Sequence, residues 1–442
     1  MARLNVSPVN TETTHEGAPA ARINVEQALR RSVLSCLLWE KEFYEDGQQI
    51  ADRIKTLSDQ VEAGKLAALA IEARSRFNLR HVPLLLTACL AKRGGAIVGD
   101  TIEKVIQRAD ELAEFLAVYA AANGVRPHEI KPKLSNQVRK GLARAFAKFD
   151  EYQLAKYDRA GAVRLRDALF LCHAKPRDAE QAELWRRLIA NELVTPDTWE
   201  VALSGGADKK ETFERLIREG KLGYLALLRN LRNMADAGCD EALVRDAIIA
   251  RKGAHRVLPF RYVAAARAAP QFEPAIDQAL VEAIAHLPVL PGKTAVLVDV
   301  SGSMNDKLSA RSDMTRMDAA CALASLINGD VRMFSFSNQL AEVPPRRGMA
   351  GVDALRYSQH HGGTELFGAI RTLNSQITYD RLIVITDEQA FGGSGRTGMP
   401  APNGKGYLIN VASAKNGVGY GRWTHIDGFS EAVLTFIAEH ER

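Results

Sequence analysis

The sequence has no uninterrupted apolar run of 18 or more residues, so we expect no membrane-spanning helix. The first 20 residues contain no apolar segment after their positive charge, which is unlike a secretory signal peptide. The chain has only five cysteines, which are scattered and include no CxxC pair. Scattered cysteines are typical of reduced thiols and argue against a disulfide framework or a zinc cluster. The sequence therefore predicts a cytoplasmic protein.

Motifs of the common enzyme classes are missing as well. The segment 292–294 (Gly-Lys-Thr) resembles the end of a phosphate-binding loop, but Leu287 occupies the position of the required glycine. The segment also precedes a predicted strand, whereas a phosphate-binding loop follows one. There is no HExxH motif, and no Ser or Cys nucleophile can be matched with a His base. We therefore predict that this protein is not an enzyme.

Apolar residues are spaced as in helices from about residue 24 to residue 285. One helical face runs through Ile102, Val105, Ala109 and Leu116. Many short helices without β-branched runs favour an α-solenoid or an irregular helical array over a four-helix bundle. A chain of 442 residues is too long for one core. We expect a flexible tail at 1–24 and an all-α domain at 25–287.

The periodicity changes after the prolines at 288 and 291. Short apolar runs alternate with helical stretches at 317–328, 366–377 and 429–440. Continuous apolar runs are typical of buried parallel strands, and they occur here at 294–300, 331–337, 382–386 and 407–412. The sequence therefore predicts a doubly wound α/β domain at 288–442, whose ligands bind at the carboxyl ends of its strands.

Oxygen-bearing side chains occur where three loops of this domain would meet. Asp299, Ser301 and Ser303 follow the first strand, Asp387 ends the strand 382–386, and Thr364 lies between two glycines and a helix. Carboxylate and hydroxyl oxygens are the ligands that a hard divalent cation prefers, and Mg²⁺ is the ion we expect. In the alternative interpretation, Ser301 and Ser303 cap a helix and Asp299 accepts backbone N–H groups.

Basic residues are concentrated in one part of the helical region. Residues 131–175 hold 11 Lys and Arg against 4 Asp and Glu, whereas residues 291–442 hold 15 of each sign. Such an excess is ordinary on solvated helix faces. It also fits a surface that binds a polyanion, because cations near phosphates release condensed counterions. The charge alone leaves both interpretations open.

Both halves of the chain resemble known domains. The metal motif at 299–303, with Thr364 and Asp387, resembles the metal-ion-dependent adhesion site of von Willebrand factor A domains. The helical half resembles the TROVE domain of the Ro autoantigen family, through the segments 166–176 (RDALFLCHAKP) and 225–234 (LALLRNLRNM). The resemblance covers residues 25–440, since both domains occur in the family's order. It implies a bacterial-type Ro protein, with a ring of HEAT-like helical repeats followed by the α/β domain.

The resemblance also implies how the metal ion is held. Ser301, Ser303 and Thr364 would ligate it directly, and Asp299 and Asp387 would hold it through water. The open coordination position would then accept a carboxylate or phosphate oxygen from elsewhere, such as a carboxylate of a protein partner. A single ion held mainly by hydroxyls suits adhesion better than phosphodiester hydrolysis.

For the helical half, the resemblance implies RNA binding. The ligands would be small noncoding Y-like RNAs and single-stranded ends of structured or misfolded RNA, bound within a ribonucleoprotein that acts in RNA quality control or turnover. An exoribonuclease is a possible partner, and we expect neither DNA nor a membrane. Residues that match RNA-contacting positions or the family's basic helix are Lys156, His173, Arg139, Lys140 and Arg144. The family often has a basic residue where Ala160 stands, and Arg159 could compensate.

Two other classes of function remain open at this stage. A metal-dependent adhesion module would leave the basic segment 131–175 unexplained. A chelatase-like subunit would stimulate a partner ATPase and have no affinity for RNA. RNA binding is distinguished from both by its salt dependence, with a log–log slope of roughly −0.7 per neutralised phosphate of a single strand.

Overall fold

The computed structural model describes residues 24–34, 47–76, 79–158, 161, 163–257, 259–308, 314–390, 398–412, 418, 421–427 and 432–441. The predicted tail at 1–24 lies outside these residues, apart from Asn24. Cys36 lies outside them too, and the described cysteines, Cys89, Cys172, Cys239 and Cys321, are buried free thiols. Among the described helices, none has both the length and the apolar character that a bilayer crossing requires.

The first part of the chain is helical, as the periodicity predicts. Short 3-10 helices at Pro127–Glu129, Lys131–Lys133, Ala254–Arg256 and Pro270–Phe272 lie between the α-helices. The α-helices are α1 (Val25–Leu34), α2 (Gly47–Ser58), α3 (Ala63–Ser75), α4 (His81–Arg93), α5 (Ile97–Val105), α6 (Asp110–Ala122), α7 (Asn136–Phe146), α8 (Glu151–Tyr157), α9 (Leu165–Cys172), α10 (Ala179–Ala190), α11 (Trp199–Ser204), α12 (Lys209–Arg218), α13 (Tyr224–Asp236), α14 (Glu241–Ala250), α15 (Pro259–Ala268) and α16 (Glu273–Ala285).

Strands and helices alternate in the rest of the chain. A 3-10 helix at Gly302–Asn305 follows the first strand. The elements are β1 (Val289–Asp299), α17 (Arg316–Ser325), β2 (Asn328–Phe336), β3 (Leu340–Val343), α18 (Gly348–Arg356), α19 (Leu366–Gln376), β4 (Arg381–Thr386), β5 (Lys405–Asn410), β6 (Trp423–Asp427) and α20 (Ala432–His440).

The six strands form one sheet in the order β3-β2-β1-β4-β5-β6. β1 is parallel to β2 and β4, β5 is parallel to β4 and β6, and only the edge strand β3 runs antiparallel. All six residues of β4 are buried, as expected for a strand with helices on both faces. The strand order reverses between β1 and β4, so the carboxyl ends of these two strands form the crevice where such folds bind ligands.

Apolar side chains of the sheet point to two separate cores. Val296 and Ile383 face the core that includes α17, while Leu297 and Val384 face the core that includes α19. Helices therefore cover both faces of the sheet. The mostly helical first part and this six-stranded sheet confirm the predicted α plus α/β fold class.

Contacts within the chain define two compact units. One consists of residues 51–197, and the other consists of residues 1–50 together with 198–442. Helices α11–α16 are thus grouped with the sheet. The sequence boundary predicted between residues 287 and 288 falls between α16 and β1, where helices give way to strands.

Helix α7 illustrates how local sequence sets the packing of the smaller unit. Ser135 caps its first turn by accepting a hydrogen bond from the Val138 amide, 3.3 Å away. Its apolar face is buried, and Gly141 lies against α5, where an added Cβ would be 2.7 Å from the carbonyl oxygen of Gly99. This close approach requires glycine, and it fixes the position of the basic side chains on the outer face of α7.

Candidate metal centre and nucleic-acid interface

The two carboxylates of the predicted metal site lie at the carboxyl ends of neighbouring strands. Asp299 is the last residue of β1, and Asp387 directly follows β4, which pairs with β1. Both residues are fully buried. The reversal of strand order between β1 and β4 therefore brings together two aspartates that are 88 positions apart in the sequence.

Hydrogen bonds hold Asp299 in place. Its Oδ1 accepts from the Ser301 amide at 2.9 Å, and its Oδ2 accepts from the Thr386 hydroxyl at 2.6 Å. The hydroxyl oxygens of Ser301 and Ser303 lie 3.3 Å apart. The alternative interpretation, in which these serines act as caps, is correct only in part. Ser301 occupies the N-cap position of the 3-10 helix Gly302–Asn305, but its side chain makes no capping hydrogen bond there.

The loop that carries Thr364 is bound to the loop after β1. The Gly302 amide donates to the carbonyl oxygen of Gly362 at 2.8 Å, and the Gly362 amide donates to the Ser337 hydroxyl at 2.6 Å. A Cβ on Gly362 would lie 2.3 Å from the side-chain amide nitrogen of Asn338, so any larger residue there would have to displace the Asn338 side chain. Thr364 itself is buried two residues before α19. The three predicted loops are therefore adjacent.

The charges at this site favour a cation. Burial, together with the negative charge of Asp387, raises the pKa of Asp299 to about 7. The three hydroxyl groups and two carboxylates of the site offer only oxygen donors, which is the donor set of Mg²⁺. Within the described residues, no cluster of three or more His, Cys, Asp or Glu could hold a metal ion by itself. The site depends on hydroxyl groups, and its residues fit the predicted ion.

Sequence analysis missed a positive charge beside the site. Nη1 of Arg316, in the first turn of α17, lies 3.7 Å from Oδ2 of Asp387, and both side chains are buried. This guanidinium partly offsets the negative charge that a cation would otherwise neutralise. No local signal could have revealed it, because Arg316 and Asp387 are 71 positions apart.

A second buried network follows Asp387 directly. Glu388 has a left-handed backbone with a φ of 60°, and its carboxylate accepts from Nη1 of Arg31 at 2.8 Å and contacts Nε2 of His425. Burial acts to raise the pKa of Glu388, but the charges of Arg31 and His425 outweigh it and hold the pKa at about 2. Side chains of helix α1 and strand β6 therefore hold the residue that follows Asp387 of the predicted metal site.

The three basic side chains predicted on α7 differ in their exposure and in their partners. Lys140 is exposed. Arg139 is half-buried and donates to the carbonyl oxygen of Lys131 at 3.4 Å. Arg144 is ion-paired with both Asp100 and Glu103 of α5, at 2.5 and 2.6 Å. Two acidic partners offset the charge of Arg144, so it is less available to a phosphate than the sequence suggests.

Lys156 lies at the end of α8 among aromatic rings. Its Nζ is 5.6 Å from the centre of the Tyr152 ring and 5.9 Å from that of Tyr157. Tyr152 is 51% exposed, and the guanidinium of Arg108 lies 4.6 Å from the centre of the Tyr157 ring. Partly exposed cations interleaved with aromatic rings can contact both the phosphates and the bases of a single strand. The predicted residue Arg159, and Ala160 beside it, lie outside the described residues.

His173 directly follows helix α9 and borders a cavity. It is exposed and has a left-handed backbone with a φ of 51°. The cavity of about 490 Å³ is also lined by Phe170, Trp185 and Arg186, and Phe170 is 57% exposed. Trp185 is buried and packs edge to face on Phe146, and its Nε1 has no hydrogen-bond partner among the described residues. The sequence did not reveal this cavity, because its walls come from both α9 and α10.

The architecture defines a protein in which an all-helical part is followed by a doubly wound α/β domain. Comparison with known proteins agrees with this class. Residues 190–279 match the family model described as the TROVE domain. No curated protein matches the chain.

Two solved structures are similar to this chain to very different extents. The crystal structure of the Deinococcus radiodurans RO (RSR) protein has a TM-score of 0.65 and 18% identity, over 95% of this chain and 100% of that one. An aerotolerance-related membrane protein from Bacteroides fragilis has a TM-score of 0.18 and 21% identity, over 23% of this chain and 56% of that one, which is too low to bear on the fold. The chain therefore carries TROVE-domain sequence and has the fold of a bacterial Ro protein, which confirms the resemblance.

Proposed function

We propose that this protein is a Ro-type RNA-binding protein that holds single-stranded RNA on the smaller unit, residues 51–197. The observation that carries the proposal is the grouping of Lys156 with the partly exposed rings of Tyr152 and Tyr157. The lysine would contact phosphates independently of base sequence, and the tyrosines would stack on unpaired bases. Lys140 and Arg139 on α7 would add further phosphate contacts.

The cavity beside His173 gives this surface a second means of holding an unpaired base. Phe170 offers an exposed aromatic face on which an unpaired base can stack. His173 lies at the rim, where its imidazole could donate to a phosphate. An exposed aromatic face suits a base better than it suits a phosphate.

The finer role is also part of the proposal. The TROVE match supports small noncoding, Y-like RNA and single-stranded RNA ends as ligands, and a ribonucleoprotein that acts in RNA quality control or turnover. We propose a cytoplasmic protein that is not itself an enzyme. An exoribonuclease is the partner class that we propose for such a role.

For the α/β domain we propose a bound divalent cation, Mg²⁺ above all. Ser301, Ser303 and Thr364 would ligate it directly, with Asp299 and Asp387 acting through water. Neutral hydroxyl ligands leave the ion electrophilic, so it can accept a carboxylate from a protein partner. The contacts that join the three loops support this assignment.

The test is the affinity of the full chain for a fluorescent single-stranded RNA at several salt concentrations. We expect the Lys140→Glu, Lys156→Glu double variant to weaken binding at least about tenfold and to make the log–log salt slope shallower by about 0.7 per lost contact. The Lys209→Glu, Lys210→Glu variant is the matched control, since both lysines are exposed on α12 in the other unit and the change in net charge is the same.

The two variants together decide the proposal. Equal affinity of both for RNA would refute the assigned surface. If the wild-type protein ignores RNA in dilute buffer but is stabilised by Mg²⁺, the alternative of a metal-dependent adhesion or chelatase-type subunit takes its place.

A further inference from the structure

A cavity of about 320 Å³ lies between α13 and α15, in the unit formed by residues 1–50 and 198–442. Four arginines line it, two from each helix, and none of its described lining residues is acidic. They are Arg229, Arg232, Arg261 and Arg267. None of them belongs to the metal site or to the Lys156 surface, so neither part of the proposed function accounts for this cavity.

Two arginines of the cavity, Arg229 and Arg261, repel one another. Loss of hydration and the nearby charge of Arg229 lower the pKa of Arg261. Arg267 is ion-paired with Asp353, and Nε of Arg232 donates to the carbonyl oxygen of Ala268 at 3.2 Å. Among the described residues, Arg229 has neither a hydrogen-bond nor an ion-pair partner. Like charges held this close cost free energy, and an anion between them would recover it.

The rest of the lining strengthens the attraction for an anion. Ala264, Ala265 and Ala268 of α15 leave space beside the guanidinium groups, and Leu228 and Met314 add apolar surface. Apolar walls lower the local dielectric constant, so charges interact more strongly there than in bulk water. Guanidinium groups present paired N–H donors that match the oxygens of a phosphate group.

We infer that this cavity is a binding site for a phosphate dianion, either the free ion or the terminal monoester of an RNA strand. A terminal phosphate offers three oxygens and a charge between about −1.5 and −2, whereas a phosphodiester within a strand carries one charge. Four arginines that line one cavity therefore favour a terminal phosphate over an internal one. The inference goes beyond the proposed function, because the cavity needs no contribution from the surface around Lys156.

The first experiment uses the full chain and inorganic phosphate, measured by calorimetry at constant ionic strength with chloride as the reference anion. We expect the Arg229→Gln variant to bind phosphate about tenfold more weakly than the wild type, which corresponds to about 1.4 kcal/mol. Arg245→Gln on α14 is the control, because Arg245 is an exposed helix arginine outside the cavity and its loss should change nothing. Ala264→Leu fills the cavity without changing its charge, and it should weaken binding as well.

The second experiment uses one short RNA with either a phosphate or a hydroxyl at its end. A terminal phosphate that strengthens binding to the wild type, but not to Arg229→Gln, identifies the RNA end as the ligand. Another outcome is that Arg229→Gln weakens the binding of inorganic phosphate while a terminal phosphate leaves the RNA affinity unchanged. In that case the free ion is the ligand, and the inference that the cavity binds phosphate holds. Phosphate binding that is absent, or unchanged in both Arg229→Gln and Ala264→Leu, overturns the inference. Hydroxyl-ended RNA that fails to bind counts against the proposed function only.

Discussion

Nη1 of Arg31 in α1 donates a hydrogen bond of 2.8 Å to Oε2 of Glu388, the residue that follows Asp387 of the predicted metal site. Both side chains are buried, with exposed fractions of 3% and 0%. A buried ion pair thus joins α1 to the loop after β4. The left-handed backbone of Glu388 is a strained conformation for a residue with a side chain, and such strain persists only where the surroundings impose it.

We predict that Arg31→Met destabilises the protein by about 3–5 kcal/mol, because it leaves the buried carboxylate of Glu388 without its guanidinium. Unfolding by urea, followed by tryptophan fluorescence, measures the loss. The control is Arg332→Met, which removes an exposed ion pair with Glu342 and should cost less than about 1 kcal/mol. Similar losses in both variants would mean that the Arg31–Glu388 pair adds nothing beyond an ordinary surface contact.

We predict that Mg²⁺ raises the melting temperature of the wild type and not that of Asp299→Asn. A ligand that binds only the folded state stabilises it by about 2.7 kcal/mol at a concentration 100 times its Kd. Asparagine keeps the size and one carbonyl oxygen of Asp299 but removes the charge. Asp330→Asn, at an exposed carboxylate of β2, is the matched control and should respond as the wild type does. A Mg²⁺ response that survives in Asp299→Asn would exclude the assigned site.

We predict that Phe170→Ala weakens the binding of single-stranded RNA by about 1–3 kcal/mol, the usual contribution of one stacked base. Fluorescence anisotropy with an intact RNA and an RNA that lacks one base at successive positions measures the effect. The loss should disappear for the RNA that lacks the stacked base. His173→Asn tests the rim separately, since asparagine tolerates the left-handed backbone of that position. A uniform loss with every RNA would point to misfolding and not to stacking.

We predict that Gly141→Ala destabilises the protein by about 1–3 kcal/mol, because its Cβ would lie 2.7 Å from the backbone of Gly99. The shift of α7 would also displace Lys140 and lower RNA affinity. Gly368→Ala is the control within a helix, since its Cβ would meet nothing closer than 3.9 Å and alanine favours the helical state. Thermal unfolding compares the two, and a stability of Gly141→Ala at or above the wild-type value would contradict the packing described for α5 and α7.

The sequence predicted those strands and loops whose signal is local. Continuous apolar runs gave β1, β2, β4 and β5, and the oxygen donors after β1 and β4 gave the predicted metal residues. β3 and β6 were missed. β3 has only four residues at the sheet edge, and β6 mixes polar and apolar side chains, so neither forms an apolar run.

Contacts between residues far apart in the sequence could not be predicted from the sequence. Arg144 is neutralised by acids more than 40 positions earlier, and Arg316 reaches Asp387 only after the sheet has formed. The arginine cavity likewise depends on α13 and α15 packing side by side. Charge counts along the sequence showed an excess at 131–175, but they could not tell which cations have acidic partners in space.

The two compact units have an unusual order along the chain. Residues 51–197 form one unit, and they are inserted in sequence between α1 and the remainder of the other unit. During synthesis at about 5–20 residues per second, Arg31 leaves the ribosome roughly 20–70 s before Glu388, which is 357 positions further on. Arg31 of α1 therefore cannot pair with Glu388 until nearly the whole chain has been synthesised. The inserted unit is complete earlier, and it can fold first.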